Sequence, residues 1–366
     1  MKTIYPDYNN CLTNLSNSIL NYYGIKTYHN TLKELDDVLK EKNYNNIILM
    51  LYDGMGTNLI KRNLGEDSFL YNHILKSINA VFPPTTTAST TSILSGLNPN
   101  EHGWLGWDLY YKELKRSVSM FPNTYKDSDD KVSEESISEK TYPYESIVKK
   151  IGNKVNSIGL FPFPKMTEYK TLDEMFEIIS NEINNNKKNF IYAYYDNPDH
   201  TMHLTGTDSK ETLEVFKTIN NKVEEFSKTL KDTLLIVIAD HGHINSEKIT
   251  IKEHKEIYDL LERDTSIEPR ACSFKIKKGK EKEFEKLFNN KFKDDFILIN
   301  KKEIIDRKLF GTGENNKYFN EVIGDYIAIA KSNKYINYDE KGKDYKSMHA
   351  GITEDEVLVP LIIIKS

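Results

Sequence analysis

The sequence predicts an α/β fold in which a mostly parallel sheet is flanked by helices and carries a small α/β cap insertion. Three observations lead there. Short β-rich apolar runs alternate with longer amphipathic segments, the pattern of a parallel sheet with helical crossovers. Several runs stop abruptly on acidic residues or histidine, as they would where the carboxyl ends of neighbouring strands meet at one rim. With 366 residues the chain is long enough to bury a large core.

In chain order, the strands are expected at "NIILMLY" (46–52), "VNSIGL" (155–160), "NFIYAYY" (189–195), "LLIVIA" (234–239) and "VLVPLIII" (357–364). Between them, "TLKELDDVLKEK", "LDEMFEIISNEI" and "ETLEVFKTINNKVEEFSKTL" repeat apolar residues at three- and four-residue spacing, so each lays one face on the sheet. The polar stretch 126–140 reads as an exposed loop and a poor place to seek chemistry. Between about 250 and 340 the pattern shifts to "RACSFKIK", a helix-like "KEKEFEKLFNNKF", then "FILIN" and "DYIAIA". The division expected is a main domain of 1–249 with 341–366, and a cap of 250–340 over the sheet edge.

Composition narrows the function. At 38% hydrophobic and 29% charged, with no apolar stretch near the ~18 residues that span a bilayer, a membrane reading fails. The start has no apolar core of a secretory signal, so a cytoplasmic location is expected. Cys11 and Cys272 are too few for a disulfide framework or a thiolate zinc site, which leaves histidine and carboxylates for any metal. A net charge of −5 with interspersed signs gives no nucleic-acid surface and favours a small-molecule substrate; it says nothing of oligomeric state.

The chemistry collects at strand ends. Asp53 follows the first strand in a Gly-rich "DGMG" turn, Asp196 and Asp199 follow the third, and Asp240 with His241 follow the fourth. Six of the nine histidines lie in four short segments, His102, His200 with His203, His241 with His243, and His349, and such clustering points to metal. Asp199 and His203 are four apart and share a face if a helical turn follows Pro198. An N-cap Asp, or a surface pair, would look the same. Two ionisable groups ending a buried strand, as in "ADHG", need pairing or a cation to offset desolvation. His243 reads equally as a donor to a ligand, a substrate contact or a surface residue. In "FPPTTTASTTSILSG", Thr85, Thr86 or Thr87 stands at the start of a helix running to about Leu97, where free N–H groups favour an alkoxide or a phosphate oxygen. Threonine is also an ordinary N-cap.

Taken together, these pieces resemble the alkaline phosphatase superfamily, most closely its nucleotide pyrophosphatase/phosphodiesterase branch. The likeness runs in order through Asp53, "TTASTTSILSGLNPNEHG", "PDHTMH", "DHG" and "HAG", and spans nearly the whole chain. By that resemblance Thr86 is the nucleophile. Asp53, Asp240 and His241 hold one divalent ion beside it, while Asp199, His203 and His349 hold another. Mixed histidine and carboxylate ligands suit Zn²⁺ best, with Mn²⁺ also able to serve. The implied reaction is hydrolysis of a small phosphoester through a phospho-threonine intermediate. Where the branch carries an Asn that contacts substrate phosphate, this sequence has Trp107, which offers an apolar face for stacking instead. Two alternatives stand beside this: a phosphomonoesterase or phosphoryl transferase of the same superfamily, and a non-catalytic, metal-stabilised binding protein.

Overall fold

A computed structural model describes residues 1–128, 130–162, 167–185, 187–338 and 344–366. Its first sheet has seven strands, in the order Ile74–Asn79, Leu358–Lys365, Thr233–Ile238, Asn46–Tyr52, Asn189–Tyr195, Asn156–Phe161 and Thr167–Glu168. The central strand Asn46–Tyr52 pairs in parallel with both neighbours, Tyr52 opposite Tyr195 and Leu51 opposite Ile238. One or two residues further on, the chain delivers Asp53, Asp196 and Asp240 side by side. Register is therefore what assembles the site. Asn46–Tyr52 and Thr233–Ile238 are buried along their whole length, which is why they read as unbroken apolar runs rather than alternating ones.

The five expected strands are present with ends moved by a residue at most, and the last, Leu358–Lys365, runs antiparallel to both its neighbours. Ile74–Asn79 was not expected. It is an edge strand, half exposed, and Lys76 and Ser77 interrupt its apolar pattern. The helices Lys33–Lys40, Leu172–Ile183 and Lys210–Ser227 press Leu35, Met175, Phe176, Phe216 and Val223 into the core around the sheet. A further helix, Leu12–Tyr22, was hidden by its Asn and Ser residues, several of which are buried. Two of them bond to the helix Thr86–Ser95 and its C-cap: Ser16 Oγ donates to the Ile93 carbonyl (2.7 Å) and Asn17 Nδ2 to that of Gly96 (2.9 Å).

A second seven-stranded sheet is antiparallel throughout, in the order Phe296–Asn300, Tyr326–Ala330, Ala271–Phe274, Ser266–Glu268, Asp108–Tyr111, Arg116–Ser119 and Thr124–Tyr125. Four of its strands lie within 250–340, and the three between 108 and 125 join them. The helix Glu281–Phe292 covers one face with Phe284, Phe288 and Phe292. The division placed between 340 and 341 lies outside the described residues. Among the described residues no helix is long and apolar enough to cross a membrane.

One buried ion pair ties this second sheet to the loop before the last strand. Arg270 grips Glu356 with two hydrogen bonds, Nε to Oε1 (2.7 Å) and Nη2 to Oε2 (2.8 Å), and both side chains are fully buried. Glu356 also accepts from Gly351 N–H and the Thr353 hydroxyl, and so braces the loop that carries His349.

Candidate active site

The helix Thr86–Ser95 begins at the rim of the first sheet, and its first three threonines have different surroundings. Thr85 is at the N-cap position with extended backbone, but its hydroxyl turns away from the helix and donates to Glu268 Oε1 (2.6 Å). Thr87 Oγ1 is buried without a hydrogen-bond partner. Thr86 Oγ1 lies 3.3 Å from Asp53 Oδ2 and 3.2 Å from His241 Nε2. Of the three, Thr86 is the hydroxyl aimed at the acidic cluster.

Around it the strand ends converge in two groups. Asp53 Oδ1 and Asp240 Oδ2 stand 3.2 and 3.5 Å from His241 Nε2. Asp199 opens the helix Asp199–Thr205, so the four-residue spacing does place His203 on its face, with Nε2 3.4 Å from Asp199 Oδ1. His349 Nε2 is 3.9 Å from that same oxygen and His243 Nε2 is 2.5 Å from it. Metal-ligand atoms of Asp199, His203, His243 and His349 lie within 4.8 Å of one another, and so do those of Asp53, Asp199 and His241. The predicted ligands therefore come together in one cluster. The backbone is as tightly placed as the side chains: the Asp199 amide donates to the Asp53 carbonyl (2.9 Å), and Gly54, at φ +73°, leaves no room for a Cβ, which would fall 3.0 Å from that of Asp199.

These residues fit a divalent cation. Two buried carboxylate oxygens, Asp53 Oδ1 and Asp240 Oδ2, accept no hydrogen bond. Three imidazoles put Nδ1 against a backbone carbonyl: His203 on Ser347 (2.9 Å), His241 on Gly242 (3.1 Å) and His349 on Pro84 (3.2 Å). A carbonyl can only accept, so Nδ1 carries the proton and each Nε2 turns its lone pair toward the carboxylates, the usual arrangement of metal-binding histidine.

The electrostatics agree. Burial pushes the Asp53 carboxyl well above its ordinary range, and the charges of Asp240 and Asp199 push the same way. Burial raises Asp240 too, against the pull of His241. Burial would lower His241, yet Asp240 and Asp53 outweigh it and drive the ring up to about 10. A bound cation would replace these protons as the counter-charge. Asp199 behaves differently: burial would raise it, but the three imidazoles around it hold it well below the usual carboxylate range. Burial also pushes His243 down to about 4 and His349 lower than its ordinary value, so both rings are neutral at pH 7.

Two contributors, Tyr194 and Glu268, were not foreseen, and a third, His243, had been left open between a donor to a ligand, a substrate contact and a surface residue. Tyr194 donates its hydroxyl to Asp53 Oδ2, and its only trace in sequence is the alternation of "NFIYAYY", which puts Tyr192 and Tyr194 on one face. His243 follows His241 by two in extended chain, a spacing that keeps both rings on one side. Glu268 left no signal. It arrives from the second sheet, is buried, and accepts from Thr85 and from the Trp107 amide (2.7 Å), while burial, opposed by those two hydrogen bonds, lifts its carboxyl to about 7.

Thr86 sits in the wall of an open cavity of about 870 Å³ whose other walls include Phe121, Tyr144, Phe161 and Tyr194. Ser136 and Glu139 also line it, so the end of the stretch read as an uninformative loop, where the helix Ile137–Thr141 begins, borders the site. Trp104 is a core residue at 1% exposure; Trp107 is 40% exposed and packs edge-on against Phe121, with ring centres 5.9 Å apart. His102 is also structural, buried between the Ser92 hydroxyl and the Trp104 amide.

Comparison with known proteins supports the same reading. Murine ectonucleotide pyrophosphatase/phosphodiesterase 5, solved as an inactive threonine-to-alanine variant in complex with AMP, superposes with a TM-score of 0.66 at 17% identity over 87% of each chain. The same murine protein in a second structure gives 0.65 at 18% identity over 86% of this chain and 87% of that one. Its human counterpart gives 0.62 at 15% identity over 87% of each chain. These likenesses establish the fold, the alkaline phosphatase-like arrangement of a large sheet between helices. No curated protein matches the sequence. Residues 47–352, most of the chain, match the model of the type I phosphodiesterase / nucleotide pyrophosphatase family, and the chain accordingly belongs to that family of metal-dependent phosphoester hydrolases.

Proposed function

We propose that the protein hydrolyses phosphodiester bonds of small, nucleotide-like substrates by way of a phospho-threonine at Thr86. The observation that carries this is the Thr86 hydroxyl, held 3.2–3.3 Å from His241 and Asp53 at a helix start and facing a cavity of ligand size. Asp53 Oδ2 is placed to take the hydroxyl proton as Oγ1 attacks phosphorus and the bond to the leaving oxygen breaks. Free amides at the start of that helix would favour the negative charge of the attacked group. Water then cleaves the phospho-threonine and restores the hydroxyl.

Asp53, Asp240 and His241 would hold one divalent ion and Asp199, His203 and His349 a second. Zn²⁺ suits this mixed set best and Mn²⁺ is the next choice. When bound, the ions supply Lewis-acid stabilisation of charge on the phosphoryl group and lower the hydroxyl's pKa. Phe121, Tyr144 and Phe161 offer apolar walls to a base or aromatic leaving group, and AMP bound to the murine relative supports a nucleotide-like ligand. The same reading takes residues 250–340 as a cap, because Glu268 reaches Thr85 from that segment.

The test is metal analysis of the purified protein followed by hydrolysis of bis-p-nitrophenyl phosphate and p-nitrophenyl phosphate. Two ions per chain, loss of activity to a chelator, recovery with Zn²⁺ or Mn²⁺, and preference for the diester are expected. Full activity in metal-free protein would rule out the mechanism. Preference for the monoester would move the protein to the phosphatase alternative, and bound metal without turnover of either ester would make it a binding protein.

A further inference from the structure

The second sheet reaches the helix that carries Thr86 at one buried carboxylate. Ile267 pairs antiparallel with Asp108, which sets Glu268 beside Trp107. A Cβ at Gly106 would fall 2.7 Å from the Ile267 carbonyl oxygen, so only glycine allows the chains so close an approach. Ile267 itself stands at φ +73°, a left-handed conformation that a β-branched side chain rarely adopts. Backbone strain of this kind persists only where the surroundings impose it, and it collects at functional sites. Here it delivers Glu268 Oε1, which accepts from the Thr85 hydroxyl at 2.6 Å and from the Trp107 amide at 2.7 Å.

A threonine at an N-cap ordinarily turns its oxygen back onto the first turn of its own helix. The helix Leu172–Ile183 does this in the same chain: its N-cap Thr171 has φ −133° and ψ 157°, and its hydroxyl accepts from the Glu174 amide at 3.2 Å. Thr85 has nearly the same backbone, φ −145° and ψ 152°, yet makes no capping bond, because Glu268 takes its hydroxyl. The first intrahelical bond there runs from the Ser89 amide to the Thr85 carbonyl, so the amides of Thr86, Thr87 and Ala88 have no partner in their own helix. We propose that Glu268 is a positioning residue for the reaction: by holding the Thr85 hydroxyl off the helix, it keeps the first-turn amides open to the oxygens of the phosphoryl group that Thr86 attacks. It acts through Thr85 rather than on the reacting atoms. The inference rests on the reading of Thr86 as nucleophile given above.

The test is steady-state hydrolysis of bis-p-nitrophenyl phosphate by wild type, Glu268→Leu, Glu268→Met, Glu268→Gln and the double variant Glu268→Leu/Thr85→Val, with circular dichroism and metal content measured for each. Glu268→Leu and Glu268→Met release the Thr85 hydroxyl to cap the helix. Each should lower kcat on the order of 100-fold, the loss typical of one preorganised donor to an oxyanion, at unchanged metal content. Glu268→Gln still accepts from Thr85 and should keep most of the turnover. Adding Thr85→Val to Glu268→Leu removes the released hydroxyl at nearly constant shape, and should return most of the lost kcat. Wild-type kcat in both Glu268→Leu and Glu268→Met would overturn the inference and leave Thr86 as nucleophile. A double variant as slow as Glu268→Leu, or loss of the fold in both non-accepting variants, would overturn it in favour of a packing role. A wild type that hydrolyses no diester, or hydrolyses it as fast after Thr86→Ala, would overturn the reading of Thr86, and this inference with it.

Discussion

Replacing Arg270 by Met should expose how strongly the second sheet is tied to the loop that carries His349. The substitution keeps much of the buried volume and removes four hydrogen bonds: Nε and Nη2 to Glu356 (2.7 and 2.8 Å), Nη1 to the Lys334 carbonyl (2.6 Å) and Nη2 to the Ser332 carbonyl (2.9 Å). Glu356 is left as a fully buried carboxylate without its counter-charge, a situation that typically costs about 3–5 kcal/mol. The Gly351 and Thr353 donors at 2.7 Å remain and hold the loss within that range. For 366 residues the unfolding entropy near the midpoint is about 0.8 kcal/mol/K, so the melting temperature should fall by about 4–6 °C. Adding Glu356→Gln should return part of it, because the stranded charge disappears. Differential scanning calorimetry of wild type, single and double variants measures both effects. A single variant melting within a degree of wild type, or a double variant less stable than the single, would refute the assignment of the pair as a buried charge clamp.

Thr86→Ala should lower diester turnover by several orders of magnitude while Thr86→Ser keeps a measurable part; if Thr86→Ala stays active and Thr85→Ala or Thr87→Ala is dead, the assignment of the nucleophile is off by one. Glu268 is an acid whose folded-state value, about 7, lies above its ordinary 4.5, so the folded protein binds that proton more tightly and stability falls as pH rises from about 4.5 through about 7. Glu268→Gln, which keeps an acceptor for Thr85 and Trp107, should match wild type in denaturant unfolding near pH 4.5 and exceed it by about 3 kcal/mol at pH 8; a difference independent of pH would show that the carboxyl titrates normally. Trp107→Ala should raise KM for aromatic diesters more than for methyl phosphodiesters and cost well under the about 3–5 kcal/mol of a buried aromatic, and equal effects on both substrates would assign the ring to packing alone.

The main sheet was readable because burial on both faces writes a strand as an uninterrupted apolar run, and "NIILMLY" and "LLIVIA" obey that rule to within a residue. Ile74–Asn79 and Leu12–Tyr22 escaped for opposite reasons. The first is half exposed, so Lys76 belongs there; the second is buried on nearly every side, but its Ser16 and Asn17 meet carbonyls of another helix, and a polar residue with a distant partner looks locally like a surface residue. Strands Asp108–Tyr111, Arg116–Ser119 and Thr124–Tyr125 likewise have no apolar run of their own and acquire a sheet only by joining the one from residues 266–330.

The same distinction divides the site. Asp53, Asp199, Asp240 and His241 follow the ends of parallel strands and His203 comes one helical turn after Asp199, so those positions are visible one element at a time, whereas His349 follows a short antiparallel strand and was picked out by the resemblance. Tyr194 and Glu268 act on the oxygens and hydroxyls around the first set, and each is recognisable only once strand register and the second sheet are known: Tyr194 through the pairing that sets Asn189–Tyr195 beside Asn46–Tyr52, Glu268 through a strand more than 180 residues away from Thr85. Tyr194 donates to one oxygen of Asp53 and the other, Oδ1, accepts no hydrogen bond, so the orientation of that carboxylate is set by a residue that only the strand pairing brings near. Candidate ligands are thus visible locally in this chain, and the donors around them only in the fold, which is why chemistry was legible before geometry.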